Sequence, residues 1–380
     1  MTDTDLPARL SLDADAMVAE ARIRAGGSPG YRLRFPSDLE QLATALRTEA
    51  NLTPTGLEHA RHALLGQLVT QVQADCLIAE HPEINSLPLR PPVLITGLHR
   101  TGTTLLQNIL AEHPAVRAPR LWELLAPADL RPRRQLVRSA RRYVEEYYAA
   151  APRFRTIHPL DAHRPEECHR LTGVTFRSSI YALRYHVPSY VSWLERQDMR
   201  PAYEYHRTLL RCLLWRRPGN RVLLKCPTHL WHLDALAAVY PDARVVWLHR
   251  APRDSLGSLC SLTAVVRAAR AVHVDKHEIG RYWLQRAEHA LSPGRRLPAG
   301  MEILHVRYED LVADPEVTAL RVCDFAHIPL SAHARRRLRR FVRRNPQGGH
   351  GVHRYSLSDY GLDPDQLDQS FAAYRAKFGL

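Results

Sequence analysis

Lysine is nearly missing from this 380-residue chain. Lys225, Lys276 and Lys377 are the only three, and the other 50 of its 53 basic residues are arginine. That skew weakens any inference of a nucleic-acid surface from the net charge of +14, and it makes the lysine at 225 demand a specific explanation. No apolar run approaches the roughly 18 residues that crossing a bilayer requires. The opening Met1-Thr2-Asp3-Thr4-Asp5 is acidic and lacks the apolar core of a secretory leader, so a cytoplasmic location is expected. Cys76, Cys168, Cys212, Cys226, Cys260 and Cys323 are scattered without a CxxC pair, which excludes a disulfide framework and fits a reducing compartment. An HExxH motif is missing, and His229 and His232 have no cysteine or carboxylate at a familiar ligand spacing, so no metal is expected. Internal repeats and low-complexity linkers are missing too.

What is present is globular: 45% hydrophobic and 24% charged residues, on a chain long enough for a large core. Two arginine-dense stretches, Arg131 to Arg142 and Arg335 to Arg344, read first as solvated helix faces. An anionic ligand, a membrane surface or nucleic acid are the alternatives for them.

Periodicity predicts helices from Leu12 to about Glu83. Thr55 caps a long one from Gly56 to about Glu80, with Leu64, Leu65, Leu68, Val69 and Val72 on one side. Short β-rich bursts follow at Val93-Leu94-Ile95-Thr96, Val222-Leu223-Leu224, Arg244 to Leu248 and Ile303 to Val306. Helical patterns come after them, for example His229 to Val239 and Ser255 to Ala271. Strands alternating with helices predict parallel pairing through crossovers. The expected fold is therefore α/β: a three-layer, P-loop-type domain with a central parallel sheet over 91–380. Residues 1–90 form a helical N-terminal extension, and a helical insertion at about 120–218 covers the active site.

The strongest local signal is Gly97-Leu98-His99-Arg100-Thr101-Gly102-Thr103-Thr104, which follows a strand and opens a helix carrying Leu105, Leu106, Ile109 and Leu110. Glycines allow a sharp turn, inward N–H groups cradle a phosphate, and the helix N-terminus adds positive potential. The spacing is that of the nucleotide loop G-x-x-x-x-G-K-[ST], except that Thr103 stands where the lysine belongs. An ATPase or kinase uses that lysine together with an aspartate-held Mg²⁺. Here the lysine is gone, no strand ends in a suitable aspartate, and the positive charge has moved to Arg100. A modified P-loop kinase or NTPase, and a basic nucleic-acid-binding protein with a vestigial loop, are the competing readings.

Gly97 to Thr104 resembles the 5′-phosphosulfate loop of sulfotransferases, in the R-[ST]-G-T-T form of the protein-tyrosine enzymes and of a large bacterial family. Val246 to Ser258 is similar to that family's strand–loop–helix for the 3′-phosphate, with Arg250 at the strand end and Ser258 eight residues later. Guanidinium forks pair bidentately with phosphate, which gives the second block a physical reason. Arg221 to Leu230, Tyr308-Glu309-Asp310-Leu311-Val312 and the tail from Tyr355 to Leu362 extend the resemblance over most of the chain. It implies transfer of a sulfuryl group from 3′-phosphoadenosine 5′-phosphosulfate (PAPS) to a hydroxyl acceptor. It also implies donor-binding roles for His99, Arg100, Thr101, Gly102, Thr103, Thr104, Arg250, Ser258 and Tyr308.

Sulfuryl transfer resembles phosphoryl transfer, so positioning and charge stabilisation outweigh covalent catalysis. Arg100 and Lys225 are the expected cations at the reacting oxygens, and Thr101, Thr103 and Thr104 the expected hydroxyl ligands. The base that receives the acceptor's proton stays open between Glu123, in the family's "WE" pattern, His163 and Glu167. Tyr181, Tyr185, Tyr190, Trp193, Tyr203 and Tyr205 predict either an aromatic pocket wall or a helical core. The expected acceptor is a small or lipid-like alcohol or phenol, with carbohydrate and protein tyrosine as other classes. No nucleic-acid partner is required, and a homodimer is compatible with this reading.

Overall fold

The computed structural model describes residues 11–27, 32–219, 221–292, 294–345 and 355–380; the acidic opening lies outside them. Five parallel strands form one sheet in the order β2-β3-β1-β4-β5: β1 (Val93–Gly97), β2 (Val116–Arg117), β3 (Arg221–Lys225), β4 (Arg244–His249) and β5 (Glu302–Arg307). Four of them fall on the predicted bursts. β2 was not foreseen, because two residues carry no periodicity.

Alternation along the strands builds two cores, one on each face of the sheet. Leu94, Val222, Leu224, Val245 and Trp247 join the core shared with the helices Arg200–Arg216, Leu233–Val239, Pro252–Ala268 and Lys276–Leu291. Val93, Ile95, Leu223, Val246 and Leu248 point the other way, into the core of the helices Thr103–Leu110, Pro315–Phe325 and Ala332–Arg344. This is the expected three-layer arrangement. Leu39, Leu42 and Leu46 of helix Pro36–Thr48 and Leu64, Leu65 and Leu68 of helix Pro54–Glu80 belong to the first core as well.

The long N-terminal helix begins two residues earlier than expected. Thr53, not Thr55, caps it, accepting from the Gly56 N–H at 2.9 Å, with Pro54 in its first turn. Trp231 lies in a 3₁₀ turn, Pro227–His232, that precedes the short helix Leu233–Val239, so the predicted helix from His229 starts late.

In parallel strands all carboxyl ends share one edge, and the strand order reverses around β1, whose neighbours β3 and β4 follow it in sequence. The loops after β1 and β4 therefore leave the sheet side by side, with Gly97 in register with Leu248. Residues between Tyr143 and Arg184 reach this edge, where they line a cavity with the loop after β1.

Candidate active site

Two glycines fix the loop after β1. Gly97 has φ 146°, and a Cβ there would meet the Leu248 carbonyl oxygen at 2.5 Å. Gly102 has φ 89°, and its Cβ would strike Leu311 at 2.9 Å and the Tyr308 ring at 3.0 Å. The loop thus presses directly on the segment after β5. Arg100 adopts φ 70°, a left-handed conformation unusual for arginine. Its carbonyl accepts from Arg250 Nη1 at 3.0 Å. Its guanidinium donates to Ser258 Oγ at 3.1 Å and to the Ile157 carbonyl at 2.8 Å. Arg250 in turn stacks on the Tyr308 ring, 4.2 Å from its centroid. The loop motif and the second motif, 150 residues apart in sequence, are in contact.

Lys225 ends β3 and is 1% exposed. Its Nζ donates to Glu167 Oε1 at 2.6 Å and Thr104 Oγ1 at 3.2 Å. Glu167 reaches it because the Cys168 N–H binds the Lys225 carbonyl at 2.9 Å, pinning residues 166–169 to the strand end. The other carboxylate oxygen, Oε2, lies 3.1 Å from His169 Nδ1. Arg184 Nη2 sits 3.3 Å from His169 Nε2, and a guanidinium can only donate. His169 Nε2 therefore accepts, and its Nδ1–H donates to Glu167. Burial alone would raise the Glu167 pKa, but the Lys225 ammonium and His169 hold it well below the carboxylate range. Burial likewise works against the Lys225 charge, and Glu167 and Glu166 overcome it and raise its pKa. Burial lowers His169 to about 4 and His99 to about 4. At neutral pH the centre is a charged Lys225–Glu167 pair beside a neutral imidazole.

A cavity of about 440 Å³ opens above these groups. His99, Arg100, Gly102, Thr103, Thr104, Glu166, Glu167, His169, Arg250 and Tyr308 form its polar side. Leu105, Tyr147, Phe154, Leu160, Ile180, Leu183 and Leu262 form its apolar wall.

Several expected residues stand elsewhere. The Thr101 hydroxyl donates to the Leu98 carbonyl at 2.7 Å, closing the loop on itself and not turning to a ligand. Glu123 does not reach the cavity: it binds Arg117 with both oxygens at 2.7 and 3.0 Å and caps its own short helix through the Arg120 N–H at 2.9 Å. His163 lies beside Arg141 at 3.5 Å, and both it and Glu123 line a second cavity. Tyr181, Tyr185, Tyr190, Tyr203 and Tyr205 are buried in the helical core, with Trp193 packed against it, and none of the six lines the cleft above Lys225. Its aromatic side comes from Tyr143, Tyr147 and Phe154 instead. Of the three candidate bases, Glu167 alone lies in this cleft. Arg184 and His169 were not singled out from sequence, because their role exists only through their contact across 15 residues.

Two groupings could suggest a metal: Glu167, His169 and Cys226, and His158, Glu166 and Glu167. The first is already neutralised by the Lys225 ammonium, and burial pushes the Cys226 thiol up to about 12, so it offers no thiolate. The second shares the same ion pair.

These features define the class: an α/β protein with a P-loop-type turn after β1 and a buried lysine, Lys225, at the end of the neighbouring strand, bonded to Thr104 of that turn. Comparison with known proteins gives the family. Residues 91–332 match the model of the sulfotransferase family, and the chain belongs to it. It is 28% identical over 240 residues to the omega-hydroxy-beta-dihydromenaquinone-9 sulfotransferase Stf3 of Mycobacterium tuberculosis, a match spanning 60% of each chain. The crystal structure of sulfotransferase STF1 from M. tuberculosis H37Rv superposes with a TM-score of 0.80 at 29% identity, covering 96% of this chain and 100% of that one. STF9 of Mycobacterium avium gives a TM-score of 0.86 at 26% identity, covering 100% and 99%. No helix among the described residues is long and apolar enough to cross a membrane.

Family membership implies PAPS as the sulfuryl donor, and the residues present fit a ligand with anions at both ends. Burial, and then the charge of Arg250, depress the Arg100 pKa. Among the described residues no carboxylate pairs with Arg100, and Arg250 has only Asp254 at 4.0 Å. Two neighbouring guanidiniums so poorly compensated are arranged for an anion.

Proposed function

We propose that this chain transfers the sulfuryl group of PAPS to the hydroxyl of an apolar, lipid-like alcohol held in the cavity above Lys225. The carrying observation is one cleft lined by the Gly97–Thr104 loop, Glu167 and Arg250, with Lys225 bonded behind it to Thr104 and Glu167 and Ser258 to Arg100. The donor supplies a sulfur centre whose transfer releases 3′-phosphoadenosine 5′-phosphate and leaves charge on a bridging oxygen.

Each residue's part follows from its place. Lys225 provides a buried positive charge beside Thr104, where water screens it least. Thr103, Thr104 and the N-terminus of helix Thr103–Leu110 bind the 5′ end. Arg250, Ser258 and the Tyr308 ring hold the 3′-phosphate end, and Arg100, bound to Ser258, works there and not at the reacting oxygens. Glu167 accepts the acceptor's proton. Its low pKa makes it a weak base, which suits a loose transition state in which the acceptor oxygen has hardly begun to lose its proton. His169, set in one tautomer by Arg184, aims that carboxylate.

The apolar wall favours a hydrocarbon-rich acceptor, and the similarity to Stf3, named for an omega-hydroxylated menaquinone, agrees with it. Incubation with labelled PAPS and a panel of long-chain alcohols, phenols, sugars and tyrosine peptides should label the alcohols foremost. 3′-Phosphoadenosine 5′-phosphate should raise the melting temperature where AMP and ATP do little. Equal stabilisation by ATP would remove the reading.

A further inference from the structure

The two arginine-dense stretches, about 200 residues apart in sequence, meet. Arg133 from the first and Arg337, Arg340 and Arg344 from the second line one cavity of about 1020 Å³, together with Arg117, Arg120, Arg164 and Arg217. It shares no lining residue with the cleft above Lys225. The wall between them is common, however. In the segment 160–167, Leu160, Glu166 and Glu167 face the cleft, while Asp161, His163, Arg164 and Pro165 face the arginine cavity.

Three carboxylates also line this cavity, and each is engaged. Glu123 holds Arg117 with both oxygens, Glu112 pairs with Arg337 at 3.2 Å, and Asp161 accepts from the His163 N–H at 2.6 Å. Arg120, Arg133, Arg164, Arg217, Arg340 and Arg344 have no carboxylate partner among the described residues. Eight arginines against three carboxylates leave a formal charge of +5 around one concavity.

The guanidiniums are also held in place by apolar surfaces. Arg133 and Arg217 both lie over the buried Trp122 ring, 5.9 and 4.7 Å from its centroid, and Arg164 lies over Phe341 at 5.5 Å. Stacking leaves the N–H forks free to bind. A solvated helix face needs no such shelf, and it would spread its charges outward. A concave arrangement focuses the field inward instead.

We propose that this cavity is a second anion site, separate from donor and acceptor, for a small molecule carrying several phosphate or sulfate groups. The concavity favours one compact ligand: it is bordered by the helix Ala332–Arg344, the helix Thr103–Leu110 with the turn after it, and the segment 161–165. A duplex or a bilayer would instead engage the outer arginines of that first helix, Arg335, Arg336 and Arg343, which lie outside the cavity.

The test is calorimetric titration of the full chain with inorganic tripolyphosphate, with 3′-phosphoadenosine 5′-phosphate present in excess to occupy the cleft. Reading heat of binding, not turnover, keeps it independent of the proposed reaction. We expect a 1:1 complex. The triple variant Arg133→Gln/Arg340→Gln/Arg344→Gln should weaken it by more than about tenfold, since it removes three charge-assisted donors. A control removing equal charge, Arg335→Gln/Arg336→Gln/Arg343→Gln, should change it by less than about twofold. All six residues are exposed, so both variants should fold. No heat, equal losses in the two triples, or tighter binding of duplex DNA or anionic vesicles that both triples weaken alike would overturn the proposal.

Discussion

The cleft above Lys225 and the arginine cavity share a wall and treat charge in opposite ways. In the cleft, the one buried lysine is matched to a carboxylate, the carboxylate to a histidine and the histidine to an arginine. In the cavity, six guanidiniums rest on aromatic rings or reach toward solvent without a counter-charge. A matched buried pair does not attract a further anion by net charge. It offers a fixed, weakly screened field for a reacting centre. An unmatched, half-solvated group attracts ions and fixes nothing chemically. The contrast separates a place for chemistry from a place for binding.

The sharpest break of this contrast is at the buried pair. Lys225→Ala should lower kcat/KM by about 10³-fold in single-turnover assays. It should also destabilise the fold by about 3–5 kcal/mol in urea melts, because Glu167 is left buried without its counter-charge. Glu167→Gln should lower turnover by about 10²–10⁴-fold with the donor affinity nearly retained. The pH dependence carries a definite sign. Glu167 is depressed in the fold, so its share of stability is present above its ordinary 4.5 and is lost as pH falls through the folded value. Lys225 is raised, so its share holds below its ordinary 10.5 and is lost as pH rises through a still higher value. With His169 at about 4, kcat/KM should show no inflection from about pH 5 to 8. A limb near neutrality would point to another base.

Smaller effects sharpen the boundary. Arg250→Ala should weaken binding of 3′-phosphoadenosine 5′-phosphate by about 10- to 100-fold, measured by calorimetry, with a lesser change in kcat. Glu123→Gln, on the cavity side, should cost about 1–3 kcal/mol in stability through its lost contacts to Arg117 and Arg120, with turnover changed less than about twofold. His163→Ala should alter neither by more than about twofold.

Much of the sheet and loop could be read from sequence because their signals are local. A β-rich burst, glycines at fixed offsets and a helix start are set by neighbouring residues, as Gly97 and Gly102 show. Which carboxylate partners Lys225 could not be read that way. Glu123 and Glu167 are both carboxylates near a short helix, and only the Cys168–Lys225 backbone bond decides which one reaches the lysine. The tyrosines of the insertion have helical spacing, which says that a face is buried but not against what. Tyr190, for instance, gives its hydroxyl to the Phe176 carbonyl at 2.6 Å inside the core. The arginine stretches were visible as composition, while their convergence on one cavity depends on tertiary packing, since helix Arg133–Ala150 packs against the first core and helix Ala332–Arg344 belongs to the second.

The tail that follows the last arginine-rich helix reaches back to brace the second motif. The Tyr355 ring lies where a Cβ of Gly257 would stand, at 2.6 Å, and its hydroxyl donates to the Asp254 carbonyl at 2.9 Å, beside the turn that carries Ser258. Two segments about 100 residues apart in sequence must therefore both be in place before the start of helix Pro252–Ala268 is buttressed. A chain cut between Ser258 and Tyr355 would keep Arg100, Arg250 and Ser258 and lose the brace behind them.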